Sequence, residues 1–354
     1  MSGRGPARAR YVAVAIALAA AAVLLVRPAP GNDPPPVVVT VDVAATLPDG
    51  TTFSPAAVLD PHHVVVQIAD PDPAYAVLAL LDPADPADPR RLDRIPIAGG
   101  GSFDAVRVAG GFVYWMSSVG DGQGATRSTL RRAGRDGTPQ VLTTETGRAL
   151  FTGGMHDLEI AEGRIWWTAT RGLTEPTTDL RSVPLAGGDV AVRALDGTYH
   201  LTDWPWATDD GIAGRPVTQR NLVTGERRTF AESPGRDVSC GAVWCRSVAH
   251  TEQGAVVTLR RTDGTGETGR INGDGEVPLF LDIAAMGRYE ILAAPISARA
   301  ATATERLAMV DLTTGRRTAL AVASGAGLSG SWLWWATGDR ETMTWHLLDL
   351  ASLS

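Results

Sequence analysis

Along this chain, short runs in which apolar and polar residues alternate at every second position are broken again and again by a glycine-bearing turn. The clearest are Phe103 to Trp115, His156 to Trp167 and Gly327 to Trp335, each ending in aromatic residues. Alternation on both sides of a glycine turn predicts two antiparallel strands, a hairpin. Weaker copies end at Trp206, Trp244 and Leu292. A second phrase follows: Arg131 to Thr138, Asn221 to Phe230 and Asp311 to Leu320, again two strands about a Gly turn, with Arg and Thr on the exposed face. No long amphipathic helix pattern interrupts these runs.

Two hairpins make a four-stranded antiparallel sheet. The hairpin ends at 115, 167, 206, 244, 292 and 335 span 220 residues in five intervals, a mean of 44. One period before 115 falls beside the apolar strand His63 to Ala69, so seven units account for residues 45 to 354. A four-strand unit repeating every ~40–50 residues is the sequence sign of a β-propeller blade. The expected fold is therefore an all-β, seven-bladed propeller. Six blades is the alternative, because Tyr199 to Phe230 is the least regular unit. The last unit lacks a fourth strand, which Val37 to Val43 can supply by pairing the start of the chain with its end and hiding a sheet edge.

The Gly-Gly-aromatic hairpin and the Thr-Gly-Arg-Arg hairpin resemble the TolB-like and WD40-like β-propellers of exported bacterial proteins. The resemblance covers nearly all of residues 37–354 and implies a propeller ectodomain, without implying any particular active-site residue. Asp311-Leu-Thr-Thr-Gly is also similar to the quinone-binding propeller repeat, but Ala319 or Leu320 stands where that repeat has Trp, so no quinone cofactor is expected.

Upstream of the repeats the pattern changes. Residues 1–10 carry Arg4, Arg8 and Arg10 without an acid, Tyr11 to Val26 is an unbroken apolar run, and residues 27–36 are proline-rich. A basic flank, an apolar segment and a proline-rich exit read as an export signal with the N-terminus in the cytoplasm. Sixteen helical residues rise ~24 Å, within reach of a bilayer core if the flanking Arg snorkel. The expectation is an uncleaved signal-anchor helix at 11–26, a linker at 27–36 and an extracytoplasmic propeller at 37–354, with secretion after cleavage as the alternative.

Composition adds compartment and charge. Without residues 1–36 the chain carries 28 basic and 38 acidic residues, net −10, which argues against nucleic acid as a partner. Of the 354 residues only two are Cys, Cys240 and Cys245, and an oxidising compartment favours a disulfide between them.

Standard catalytic motifs are absent from the sequence: it contains no G-x-S-x-G elbow, H-E-x-x-H or S-x-x-K. The six histidines form no helical metal pair and are read as surface or loop residues. The acidic Gly-rich loops Asp263 to Glu267 and Asn272 to Glu276 match hairpin turns better than calcium loops, and a divalent cation is the one cofactor they leave open. A positional pattern is more informative. Asp104, Asp157 and Asp282 stand 10 or 11 residues before the ends of their hairpins, and Asp237 in a related place. There they begin the innermost strands, so a ring of carboxylates is expected at the channel mouth, with Asp203 and Trp204 at the same rim. That ring suits a cation or basic segment. The function expected is a monomeric, non-catalytic binding module for a protein, peptide or envelope component. The alternative is a propeller hydrolase or lyase using these carboxylates.

Overall fold

The computed structural model describes residues 38–353 apart from positions 71, 121–125, 173–176, 210–215, 232–234, 297–303 and 340. The expected signal-anchor segment 11–26 and the linker 27–36 lie outside the described residues. Among those described, no helix is long and apolar enough to cross a membrane.

Seven antiparallel sheets follow one another along the chain. Blade 1 is built from Phe53–Asp60, His63–Ala69, Tyr75–Asp82 and Asp85–Pro96, and blade 2 from Ser102–Ala109, Phe112–Gly120, Thr126–Gly134 and Gln140–Thr143. In blade 3 the inner strand is split into Arg148–Ala149 and Glu159–Ala161. Both pieces pair with Arg164–Thr170, which is followed by Thr177–Pro184 and Ala191–Asp196. Blade 4 comprises His200–Leu201, Trp206–Asp209, Val217–Asn221 and Arg227–Phe230. Blade 5 has three regular strands, Arg236–Cys240, Trp244–Thr251 and Gly254–Arg261. Its outer edge is covered by residues 266–271, whose Thr268 and Ile271 amides bond Leu259 and Val257. Blade 6 holds Val277–Pro278, Tyr289–Pro295, Glu305–Asp311 and Arg316–Ala323. Blade 7 holds Gly325–Ser329, Trp332–Thr337 and Thr344–Asp349, and takes its fourth strand, Val41–Ala44, from the start of the chain. Val41 stands opposite Leu347 and Ala44 opposite Thr344. The unit that looked least regular is a complete blade.

Local chemistry produces these turns. Gly110 and Gly111 both adopt positive φ between Ala109 and Phe112, the geometry that matches strand twist in a two-residue hairpin. In the second phrase, the Asn221 side chain accepts the Val223 and Thr224 amides and the Asp311 side chain accepts that of Thr313. Gly225 and Gly315 then close the two turns in one manner, on the carbonyls of Asn221 and Asp311.

The core is divided into seven apolar clusters, each between two successive blades. Trp115, Trp167 and Trp335 are buried in three of them, which is why they recur with the period of the fold. Indole N–H groups bind across the seams: Trp115 to the Asp93 carboxylate of blade 1, Trp244 to the Gly287 carbonyl between the first two strands of blade 6, and Trp345 of blade 7 to the Phe53 carbonyl of blade 1, each at 2.9 Å. Among the described residues the seam between blades 4 and 5 has the thinnest apolar filling, with Val217, Phe230, Cys240 and Cys245 as its buried set. Cys240 and Cys245 are opposed in register and joined by a disulfide.

Two outcomes follow. Trp345→Ala removes a buried indole and its hydrogen bond from the closing seam, and should lower stability by about 3–5 kcal/mol in denaturant unfolding. The paired change Cys240→Ala with Cys245→Ala removes a short covalent loop from the thinnest seam. It should cost about 2 kcal/mol, and an unchanged midpoint would mean that the apolar contacts there suffice alone.

Candidate functional site

Blade 3 departs from its neighbours at the place where the site forms. Between the two pieces of its inner strand, Met155–Asp157 makes one 3₁₀ turn. The chain returns to extended geometry at Leu158, and His156 in the turn meets Glu159, the first residue of the second inner-strand piece. Nδ1 of His156 lies 2.5 Å from Glu159 Oε1, and the residue is only 8% exposed. Its other nitrogen, Nε2, points at carboxylates from two further blades, Asp203 Oδ1 at 3.4 Å and Asp282 Oδ1 at 3.8 Å. Arg107 of blade 2 reaches Glu159 from behind, at 3.5 Å.

Each partner is fixed by its own contacts. Asp157 accepts the Thr152 and Gly153 amides at 2.9 Å and the Thr152 hydroxyl at 2.8 Å, folding residues 152–157 into a closed loop. Asp282 Oδ2 accepts the Met155 amide at 2.8 Å, a bond between residues 127 apart in sequence. It joins blade 3 to the loop of blade 6, three places round a ring of seven, and so crosses the channel axis. The loop carrying Asp282 is gripped by a buried ion pair. Arg246 meets Glu290 at 2.8 Å and donates to the carbonyls of Phe280 and Leu281, while Glu290 accepts the Ala284 amide. Gly154 completes the fit, because a Cβ there would lie 2.9 Å from Asp282 Oδ1.

Burial opposes charge on His156, but the Glu159 hydrogen bond and the charges of Asp203, Glu159 and Asp282 outweigh it and raise its pKa above 6.5. Burial also raises Asp157; the Thr152 and Gly153 hydrogen bonds pull the other way, and the charge of Asp282 adds to the rise. The group opens onto a cavity of about 50 Å³, lined in addition by Thr202, Ser239 and Cys240. Blades 3, 4, 5 and 6 all contribute to it. The arrangement holds an imidazole in one orientation and presents one nitrogen, flanked by two carboxylates, to whatever enters.

Of the six residues expected at the channel mouth, the structure groups Asp157, Asp203 and Asp282. Asp104 and Asp237 do not join them. Asp104 sits at a register shift between Phe103 and Ala105, and such a bulge re-aims a side chain. It accepts the Ser102 hydroxyl at 2.5 Å and lines a different depression with Ser118 and Arg148. Asp237 lies in a regular strand, its side chain 74% exposed and 3.1 Å from His250. Trp204 packs on Trp166 of blade 3, ring centroids 4.4 Å apart, and does not line the cavity. His156, for which a surface or loop-packed position is expected, packs in the turn between the two inner-strand pieces and is the buried centre of the group. The signal for it was the string His156-Asp-Leu-Glu159, three ionisable residues in four where an inner strand should begin.

Among the described residues, no three His, Cys, Asp or Glu side chains are arranged to hold a metal ion. The Gly-rich loops turn their oxygens inward as hairpin turns. Asp263 accepts the amide and hydroxyl of Thr265, and Glu276 accepts the Gly273 amide and pairs with Arg317.

No family model and no curated protein matches this chain. Solved structures do resemble it in fold. An oligogalacturonate lyase in complex with manganese superimposes with a TM-score of 0.54 at 10% identity, over 89% of this chain and 96% of that one. An uncharacterized protein from Listeria monocytogenes gives 0.52 at 9% identity, over 85% and 96%. A prolyl endopeptidase structure gives 0.51 at 12% identity, over 81% of this chain and 44% of the other. At such identities the likeness is one of fold: this is a seven-bladed β-propeller.

The raised His156 pKa carries a stability signature. The imidazolium interactions with Glu159, Asp203 and Asp282 stabilise the fold fully below the unfolded value of 6.5, and that contribution disappears as pH rises through the higher native value. Unfolding midpoints should therefore fall as pH climbs above 6.5, and His156→Gln should flatten that slope. An identical slope in the variant would remove His156 as its source.

Proposed function

We propose that this chain is an exported, membrane-tethered propeller of the TolB-like kind that acts as a hydrolase or lyase, with His156 as its general acid–base. The observation that carries this reading is the clamped imidazole. Glu159 occupies Nδ1, so proton exchange falls to Nε2, the nitrogen that faces the cavity. The raised pKa supplies a proton to give to a leaving group. Asp203 and Asp282, each within 4 Å of that nitrogen, stabilise the imidazolium when the proton returns. Asp282 holds its place through the Met155 amide, and the Arg246–Glu290 pair fixes the loop behind it.

Two further considerations support the reading. Two of the fold neighbours are named as enzymes, an oligogalacturonate lyase and a prolyl endopeptidase, an argument by analogy of fold only. The Cys240–Cys245 disulfide suits the oxidising side of a membrane, where the apolar run 11–26 would hold the propeller.

The test is a screen of the purified protein against panels of polysaccharide, lactone and peptide substrates, with His156→Gln run beside it. Turnover by the native chain that drops about 10²–10⁴-fold in the variant supports the assignment. No turnover on any panel, or equal rates in both proteins, would return the chain to a non-catalytic binding role.

A further inference from the structure

The charges around the cavity are lopsided. Its ionisable lining side chains are His156, His200, Asp203 and Asp282, and no Arg is among them. Nearby guanidinium groups are engaged elsewhere. Arg107 meets Glu159 behind His156, and Arg246 is held by Glu290 and by the carbonyls of the 280–282 loop. Asp203 keeps its side chain 45% exposed, and Asp282 presents Oδ1 to the same nitrogen as Asp203 while its Oδ2 is bound to the Met155 amide. The Asp203 and Asp282 carboxylates thus converge beside one imidazole, on a space too small for more than a head group.

We infer that this cavity binds an organic cation, an ammonium or guanidinium group seated between Asp203 and Asp282 against Nε2 of His156. The inference rests on the reading of this cavity as the substrate site and deepens it: the substrate is positively charged, and an anionic one such as a uronate would be repelled. A guanidinium is weakly hydrated, which lowers the cost of moving it against a part-buried carboxylate. Among the described residues no three His, Cys, Asp or Glu side chains are arranged as metal ligands, and His156 turns Nε2 toward the two carboxylates themselves.

A cation at this point competes with the imidazolium for the same carboxylates. The groups facing His156 are Glu159 with Arg107 behind it, Asp203, Asp282 and the adjacent Asp157, with His200 lining the same cavity. Occupation of Asp203 and Asp282 by another positive charge removes two of the influences that favour the protonated ring. His156 then sheds its proton, and by reciprocity the cation binds more tightly as pH rises. Binding would in this way convert the resting acid into a base.

The experiment uses the full chain and follows the His156 ring by proton NMR, assigned with His156→Gln, during titration with methylguanidinium, with methylurea as its uncharged counterpart and acetate as the anion. Methylguanidinium should shift the ring signal saturably, lower the His156 titration midpoint and bind about three- to tenfold more tightly at pH 8 than at pH 6. Asp203→Asn with Asp282→Asn should weaken it at least tenfold, whereas Asp274→Asn, on an exposed turn, should leave it unchanged. Arginine amide and glucosamine, titrated in parallel, distinguish a basic peptide from an amino sugar as the source of the cation. Equal binding of methylurea, preference for acetate, or cation binding that survives the double variant would overturn the inference. Saturable binding of Mn²⁺ with none of methylguanidinium would overturn it as well. Because no turnover is measured, a failure here is separate from a failure of the catalytic assignment.

Discussion

Among the described residues every apolar cluster lies on a border between two blades, and none belongs to a single blade. A four-stranded sheet with one seam open would expose a face that the sequence has made apolar, and burial of such a face is the main favourable contribution to folding. The ring must therefore close for any part to be stable. Closure is made by Val41–Ala44 on Thr344–Asp349, and Val43, Trp334, Trp345 and Val64 fill the seam that this pairing completes. The indole hydrogen bonds serve the same end. A buried Trp N–H needs an acceptor, and three of those described find one across a seam, which fixes the rotation of each blade against the next.

The site inherits its precision from this frame. Its imidazole comes from blade 3 and its two facing carboxylates from blades 4 and 6, while Met155 and Asp282 meet across the axis. None of these contacts is local in sequence. The support is local only at Asp157, which closes the 152–157 loop on itself. Arg246 of blade 5 with Glu290 of blade 6 holds residues 280–284. Burial pushes the Glu290 carboxyl upward and the Arg246 charge beside it pulls it down. Losing either partner would leave a buried charge uncompensated, a costly state.

Period and turn chemistry made the architecture legible. The hairpin ends at Trp115, Trp167, Trp206, Trp244, Leu292 and Trp335 all fall in the second strands of their blades, and the strand found near Val37 to Val43 closes the ring one residue further on than expected, at Ala44. The cysteine pair forms the disulfide that an oxidising compartment favours. The site was legible only in part, because a repeat assigns residues to equivalent places without saying how each inner strand deviates there. Blade 2 bulges at Asp104, blade 3 breaks into a 3₁₀ turn at His156, and blade 6 shortens its inner strand to two residues and leaves Asp282 on a loop. These irregularities send Asp104, Asp157 and Asp282 to different surroundings, while Asp237 stays on a regular strand. His156 and Glu159 were missed for the same reason, since their meeting depends on a turn that the strand pattern conceals.

The closing strand also sets a clock. Val41–Ala44 finds its partner only when Thr344–Asp349 has been made, and at ~5–20 residues per second that interval lasts roughly 15–60 s. Throughout it, the growing chain is an open arc with an apolar face at one end and an unpaired edge. The cavity cannot exist in that arc before blade 6 arrives to face blade 3, so a truncated chain would carry no partial version of it. The site is thus a late product of synthesis, complete only once strands from all four of its blades have been made.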